Sequence, residues 1–244
     1  MTRIAPWCVM LLLAGKQLPA LDQQTTQVAA IRDGIDQAVF LGNRDALAGF
    51  SEQLADARGE WVDYYRAYID YRLSQFAGTP KTRARALLNS CIDTLTAMVE
   101  RRPDLAEAHA LHATCYGGSA RFYILRAAGR GSSANKALQR ALQLGPDNPR
   151  VVLQVAESLI FRPAIFGGNK EKAMERLKAA AELFPQWQAP DPEAPVWGEA
   201  ETWLFIARLH RDAGDTDRAR AAFKKALTVA PDYRLAQEEL RALG

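Results

Sequence analysis

The sequence is short of the residues that mark several protein classes. Three cysteines in 244 residues are too few to staple a small disulfide scaffold. Neither sign of charge dominates: 31 Lys and Arg stand against 28 Asp and Glu, a net charge of +3. That balance offers no footing for nucleic acid, which calls for a basic stripe. The apolar run from Ile4 to Gly15 falls well short of the ~20 residues that span a bilayer as a helix, and no later segment is longer and as apolar. There is no Gly-x-Ser-x-Gly elbow, no His-Glu-x-x-His, no Gly-Lys-Ser/Thr phosphate loop and no dinucleotide fingerprint. The sequence therefore predicts no cofactor, no resident metal and no enzymatic activity.

What is present is ordinary globular composition, 48% hydrophobic and 24% charged. Arg3, the short apolar run and small Ala20 read as a secretory leader, residues 1–20, with cleavage after Ala20. The alternatives are an uncleaved anchor or a first core helix. Cys8 lies inside the run behind bulky Trp7, which does not suit lipid attachment. Loss of Arg3 and Lys16 with the leader would leave a net charge of +1 on residues 21–244, read as one domain. The expected location is the bacterial periplasm or the exterior.

The body repeats. In the clearest unit, Ala200 to Tyr233, apolar residues follow a helical period through Trp203, Ile206, Ala207 and His210. Gly214-Asp215 breaks that helix, because glycine takes a left-handed cap without a Cβ clash. A second helix carries Ala219, Phe223, Ala226 and Leu227 on one face, and Pro231 stops it. The second-helix spacing recurs at Ala173, Leu177, Ala180 and Pro185; at Ala134, Leu138, Ala141 and Pro146; and at Cys91, Leu95, Met98 and Pro103. Trp61, Tyr64, Tyr65 and Tyr68 mark another first helix, and residues 25–57, broken at Gly42-Asn43, a degenerate first hairpin. A short amphipathic helix, Arg234 to Leu243, would cover the last apolar face.

This pattern resembles the tetratricopeptide repeat (TPR) family, whose signature runs Trp–x2–Leu–Gly–x2–Tyr, then Ala–x3–Phe–x2–Ala, then Pro. Trp203, Ile206, Ala207, His210, Ala219, Phe223, Ala226 and Pro231 stand at those places, with His for Tyr. The resemblance implies an all-α fold, a right-handed superhelical solenoid of about five hairpins with a C-terminal capping helix. The spacing is stretched between Tyr116 and Ala134 and between Leu159 and Gly168, which predicts insertions along one edge. The Pro163-Ala-Ile-Phe166-Gly-Gly168 segment is also similar to a loop of exported bacterial TPR proteins, including ones distantly like the TPR component of TRAP-type solute transporters.

By the TPR pattern the first helices line a concave face. The positions facing it are Val62, Arg66 and Ile69 in the second unit, Arg150, Leu153 and Glu157 in the fourth, and Glu201, Leu204, Arg208 and Arg211 in the fifth. Tyr65 and the stretch Tyr68 to Arg72 would share that groove, though bulky residues at these spacings chiefly fill a core. Phe166 plugs a gap between hairpins or lines a ligand cavity. The glycines after it serve a turn, with Asn169 capping the next helix, rather than a phosphate cradle. Trp187 to Gly198, rich in proline, is read as an extended link filling the wedge between the fourth and fifth units.

His109-x2-His112-x2-Cys115 forms a helical stripe with zinc-like residue types, but those positions fall in the packed interface, and buried histidines are the preferred reading. Cys91 and Cys115 belong to neighbouring helices; both a disulfide and two free small residues are open, the latter preferred. The function expected is a non-enzymatic exported scaffold that binds a protein or peptide through its concave face. The alternative is an accessory protein for a small, partly apolar ligand, enclosed by Phe122, Tyr123, Ile165 and Phe166 as the TRAP-type resemblance implies.

Overall fold

The computed structural model describes residues 20–189 and 191–244, and every regular element among them is helical. The expected leader, 1–20, lies outside these residues but for Ala20, where the first helix begins. Five antiparallel hairpins follow one another: α1 (Ala20–Phe40) with α2 (Arg44–Leu54), α3 (Val62–Gln75) with α4 (Lys81–Arg101), α5 (Ala106–Ala120) with α6 (Ala127–Leu144), α7 (Pro149–Phe161) with α8 (Lys170–Leu183), and α9 (Glu199–Asp212) with α10 (Thr216–Val229). A short α11 (Arg234–Arg241) closes the array. The fold is an α-solenoid.

Local chemistry sets the helix starts. Side chains of Asn43, Asn148, Asn169 and Asp215 each accept a hydrogen bond from a backbone N–H in the first turn of α2, α7, α8 and α10, satisfying donors that the helix itself leaves free. Pro149 follows its cap at the first helical position, where its missing N–H costs nothing. Small residues then let the paired helices nest. Ala207 of α9 and Ala219, Phe223 and Ala226 of α10 are fully buried, and the corresponding Ala173, Leu177 and Ala180 of α8 and Leu95 and Met98 of α4 are buried as well.

The stretched spacing after Leu159 resolves into a loop with a 3₁₀ turn, Ala164–Phe166, ahead of α8, and the one after Tyr116 into a turn and a longer second helix. α5 runs on to Ala120, a 3₁₀ turn occupies Ile124–Arg126, and α6 begins at Ala127, ahead of the expected repeat residue Ala134. The two cysteines correct the preferred reading of free thiols. Cys91 of α4 and Cys115 of α5 form a disulfide with Cα atoms 6.3 Å apart. The small side chain that the repeat needs at a helix crossing also brings the two sulfurs within bonding reach.

Candidate functional site

The link between α8 and α9 decides the shape of the concave face. It does more than fill a wedge between adjacent hairpins: it lies as a strap across the first helices of the first two. Trp61 Nε1 donates to Asp191 Oδ2 at 2.7 Å, and Tyr65 Oη donates to the Glu193 carbonyl. Arg32 of α1 donates to the carbonyls of Pro192 and Ala194. Trp197 stacks on Tyr68 with ring centroids 4.9 Å apart and donates its N–H to Tyr64 Oη. The strap ends at Gly198, whose φ of 117° and whose approach to Phe184 (2.7 Å from where a Cβ would sit) exclude any other residue.

The strap consumes much of the groove expected from the repeat pattern. Tyr65, Ile69, Leu153 and Leu204 are core, each at most 2% exposed. Arg66 fastens the end of α2, donating to the carbonyls of Leu54 and Ala55 and pairing with Asp63. Arg150 is also buried, clasped to Glu107 at 2.9 Å while Asn148 donates to the same carboxylate. Arg208 and Arg211 both hold Glu239 of α11, so their charges secure the cap. Tyr65, Ile69, Arg150, Leu153 and Leu204, expected in a binding face, are closed off inside the fold because the array curls until its two ends meet, whereas Arg66, Arg208 and Arg211 stay partly exposed while making these contacts.

What remains of the concave face is a small polar chamber where those ends converge. Arg72 of α3 pairs with buried Glu201 of α9 at 3.4 Å. Asp36 of α1 and Glu157 of α7 face the same pair and are half-buried. Burial, and then the nearby Glu201 carboxylate, push the Asp36 carboxyl up to about 8, against the pull of Arg72. Burial likewise raises Glu157 to about 7. Tyr68 Oη is buried here with no hydrogen-bond partner among the described residues. Three carboxyls thus gather around Arg72, with Arg32 also near Asp36. Next to them a cleft of about 270 Å³ opens between α1 and the end of α10, lined by Asp33, Asp36, Phe40 and Asp232 among others. Glu157, Glu201 and the Tyr68–Arg72 stretch were legible as concave positions. Asp36 was not, because a carboxylate on the flank of an amphipathic helix reads as solvated surface, and neither was Asp232, in the turn between α10 and α11.

The histidine stripe does not converge on a metal site. Cys115 is spent in the disulfide, His112 Nε2 lies 3.2 Å from Thr96 Oγ1, and His109 Nε2 lies 3.1 Å from the Pro103 carbonyl. Among the described residues no group of three or more His, Cys, Asp or Glu is placed to hold a metal. Phe166 does not plug a gap between hairpins; it projects at 65% exposure, beside Ile165 at 85%.

Residues 200–242, covering α9 to α11, match the model of the tetratricopeptide repeat family. Tetratricopeptide-repeat character is thereby supported. Solved structures agree on the fold. A thermophilic TPR protein of Thermus thermophilus superposes with a TM-score of 0.61 at 20% identity, covering 91% of this chain and 98% of that one. The HusA haemophore of Porphyromonas gingivalis does so with a TM-score of 0.62 at 23% identity, covering 81% and 96%. By sequence, 110 residues are 29% identical to Protein O-mannosyl-transferase TMTC1 of Mus musculus, which is 45% of this chain and 10% of that protein. The chain thus spans about a tenth of that relative's length. TPR repeats support an interaction scaffold, a typically non-enzymatic role.

Proposed function

We propose that the protein is an exported, non-enzymatic scaffold that receives a basic segment of a partner protein at the mouth of its concave face. The observation that carries this is the imbalance in the chamber. Asp36, Glu157 and Glu201 gather around Arg72, with Arg32 near Asp36 but paired to Asp33, beside a buried Tyr68 hydroxyl with no partner among the described residues and a cleft whose walls add Asp232. A lysine or arginine side chain of a partner would restore the charge and displace the proton that burial keeps on Asp36. The buried disulfide supports residence in an oxidising compartment. The small-ligand alternative needs Phe122, Tyr123, Ile165 and Phe166 around one enclosed cavity, and Ile165 and Phe166 instead point into solvent.

Calorimetric titration with a lysine-rich peptide and with a glutamate-rich peptide of equal length tests the reading. The basic peptide is expected to bind, to release protons, and to bind more tightly above about pH 8 than below about pH 6. Asp36→Asn with Glu157→Gln should weaken it at least tenfold. Equal binding of both peptides, or none of the basic one, overturns the proposal. Export is checked by the mass of the protein recovered outside the cytoplasm, with loss of residues 1–20 expected.

A further inference from the structure

The edge of the solenoid opposite the hairpin starts carries a second surface. α5 and α7 run side by side in the same direction: Glu107 meets Arg150 near their starts, and Thr114 Oγ1 donates to Gln154 Oε1 at 2.7 Å midway. The insertions that follow the two helices therefore emerge at one edge. The turn after α3 joins them, because Phe76 and Lys81 line the same cleft as Arg121 and Phe122, with a volume of about 480 Å³.

This edge holds large apolar side chains out in water. Leu125 is fully exposed, Ile165 is 85% exposed and Phe166 65%. The Ile165-Phe166 pair does not sit on a slack loop. The N–H groups of Phe166 and Gly168 both donate to the Pro163 carbonyl, and Asn169 N–H donates to the Leu159 carbonyl at 3.0 Å. Gly167 takes φ of 92°, and a Cβ on Gly168 would lie 1.8 Å from the Arg162 carbonyl oxygen. Two glycines and three hydrogen bonds are spent on presenting two hydrophobic tips to solvent, where they gain nothing for stability.

The charge around those tips is mostly positive, with Glu171 and the Lys170 partner Asp212 as its acids. Residues 117–131 carry Arg121, Arg126 and Arg130 and no acid. Residues 161–172 carry Arg162, Lys170 and Lys172 against Glu171 alone, and residues 75–85 carry Lys81, Arg83 and Arg85 with no acid. The whole chain is +3, so this edge is far more basic than the rest of the molecule. In the cleft, the Arg121 guanidinium lies 4.9 Å from the Phe122 ring centroid, a cation over an apolar floor.

We infer that this edge seats the protein on an anionic lipid surface, with Leu125, Ile165 and Phe166 entering the headgroup region and the surrounding arginines and lysines meeting lipid phosphates. A protein partner would need a matching concavity for each projecting tip. A fluid bilayer interface takes separate apolar tips without one, and cations beside apolar side chains are the pairing it rewards. Among the described residues no helix is long and apolar enough to cross a membrane, and the contact made by this edge is a peripheral one. It leaves the acidic chamber free for its own partner.

Vesicle flotation of the full chain tests this, with phosphatidylcholine vesicles against vesicles that also contain phosphatidylglycerol. Flotation is expected only with the anionic vesicles and should fall as salt rises. Ile165→Ser with Phe166→Ser, and separately Arg121→Glu with Arg126→Glu, should each lower binding at least tenfold while thermal melts stay unchanged. These comparisons separate the edge from any contribution of the apolar residues 4–15. A Phe166→Trp variant should shift its emission to the blue when anionic vesicles are added. Flotation equal with both vesicle types, flotation unchanged in both double variants, or an unshifted Phe166→Trp spectrum overturns the inference. Binding of soluble polyglutamate as tight as that of vesicles, and indifferent to Ile165 and Phe166, would assign the edge to an acidic protein instead.

Discussion

Trp197 donates its indole N–H to Tyr64 Oη at 3.1 Å, across 133 residues of sequence, and lies flat on Tyr68. The strap thereby ties the fifth hairpin to the second. Trp197→Ala removes a buried aromatic from between them and is expected to cost about 3–5 kcal/mol. Tyr64→Phe removes only a hydrogen bond and should cost about 1 kcal/mol. Urea unfolding measures both, and amide exchange should show α3 and the strap losing protection together in the Trp197 variant.

The Glu107–Arg150 pair is the most deeply buried ion pair described, with both side chains at or below 5% exposure. Glu107→Ala leaves a guanidinium without its counter-charge and is expected to destabilise by about 3–5 kcal/mol. Glu107→Met with Arg150→Met removes both charges and should recover most of that loss. A double-mutant cycle in denaturant checks the coupling.

Hairpin existence was readable because the second helices of the last three hairpins repeat a small–large–small face, and Ala173, Leu177 and Ala180 or Ala219, Phe223 and Ala226 are buried where the period places them. The turn at Gly167 and the cap at Asn169 were readable from residue chemistry. The concave face was not. Spacing says that Arg150 or Leu204 points inward, but whether inward means open groove or sealed core depends on how far the array curls. That is set by tertiary contacts such as Trp61 with Asp191, for which the residues carry no periodic signal. The cysteine pairing was undecided for a related reason: spacing shows neighbouring helices, and only their crossing geometry brings the sulfurs together.

The Cys91–Cys115 disulfide closes a sequence separation of 24 residues between the second and third hairpins. In the chain-entropy model such a loop contributes about 3 kcal/mol. Cys91→Ala with Cys115→Ala should lower the thermal midpoint by several degrees, about 2–4 °C per kcal/mol at this chain length. Both sulfurs are buried, so reductant added to the folded wild type should act only as fast as the region opens. Melts with and without reductant, after brief and after prolonged incubation, distinguish these outcomes.

Asp36 and Glu157 give the protein an inverted pH response. Their folded-state values lie near 8 and near 7, above the usual carboxylate range. Between about pH 4 and 8 the folded chain holds protons that the unfolded chain has released, so stability from these groups falls as pH rises. Asp36 is subject to Arg32 and Asp33 on its own helix, Arg72 from α3 and Glu201 from α9. Asp36→Asn should flatten the decline across about pH 4 to 8 while leaving the response below about pH 4 unchanged. Urea midpoints measured across that range test the sign.

The strap also changes how the molecule comes apart. An open repeat array frays from whichever terminus is weaker, shedding one unit at a time. Here the first two units and the last one hold each other, so neither end is free to peel. Unfolding should be a single cooperative event, and an extra repeat spliced at either end would have to break a ring before it lengthened a row.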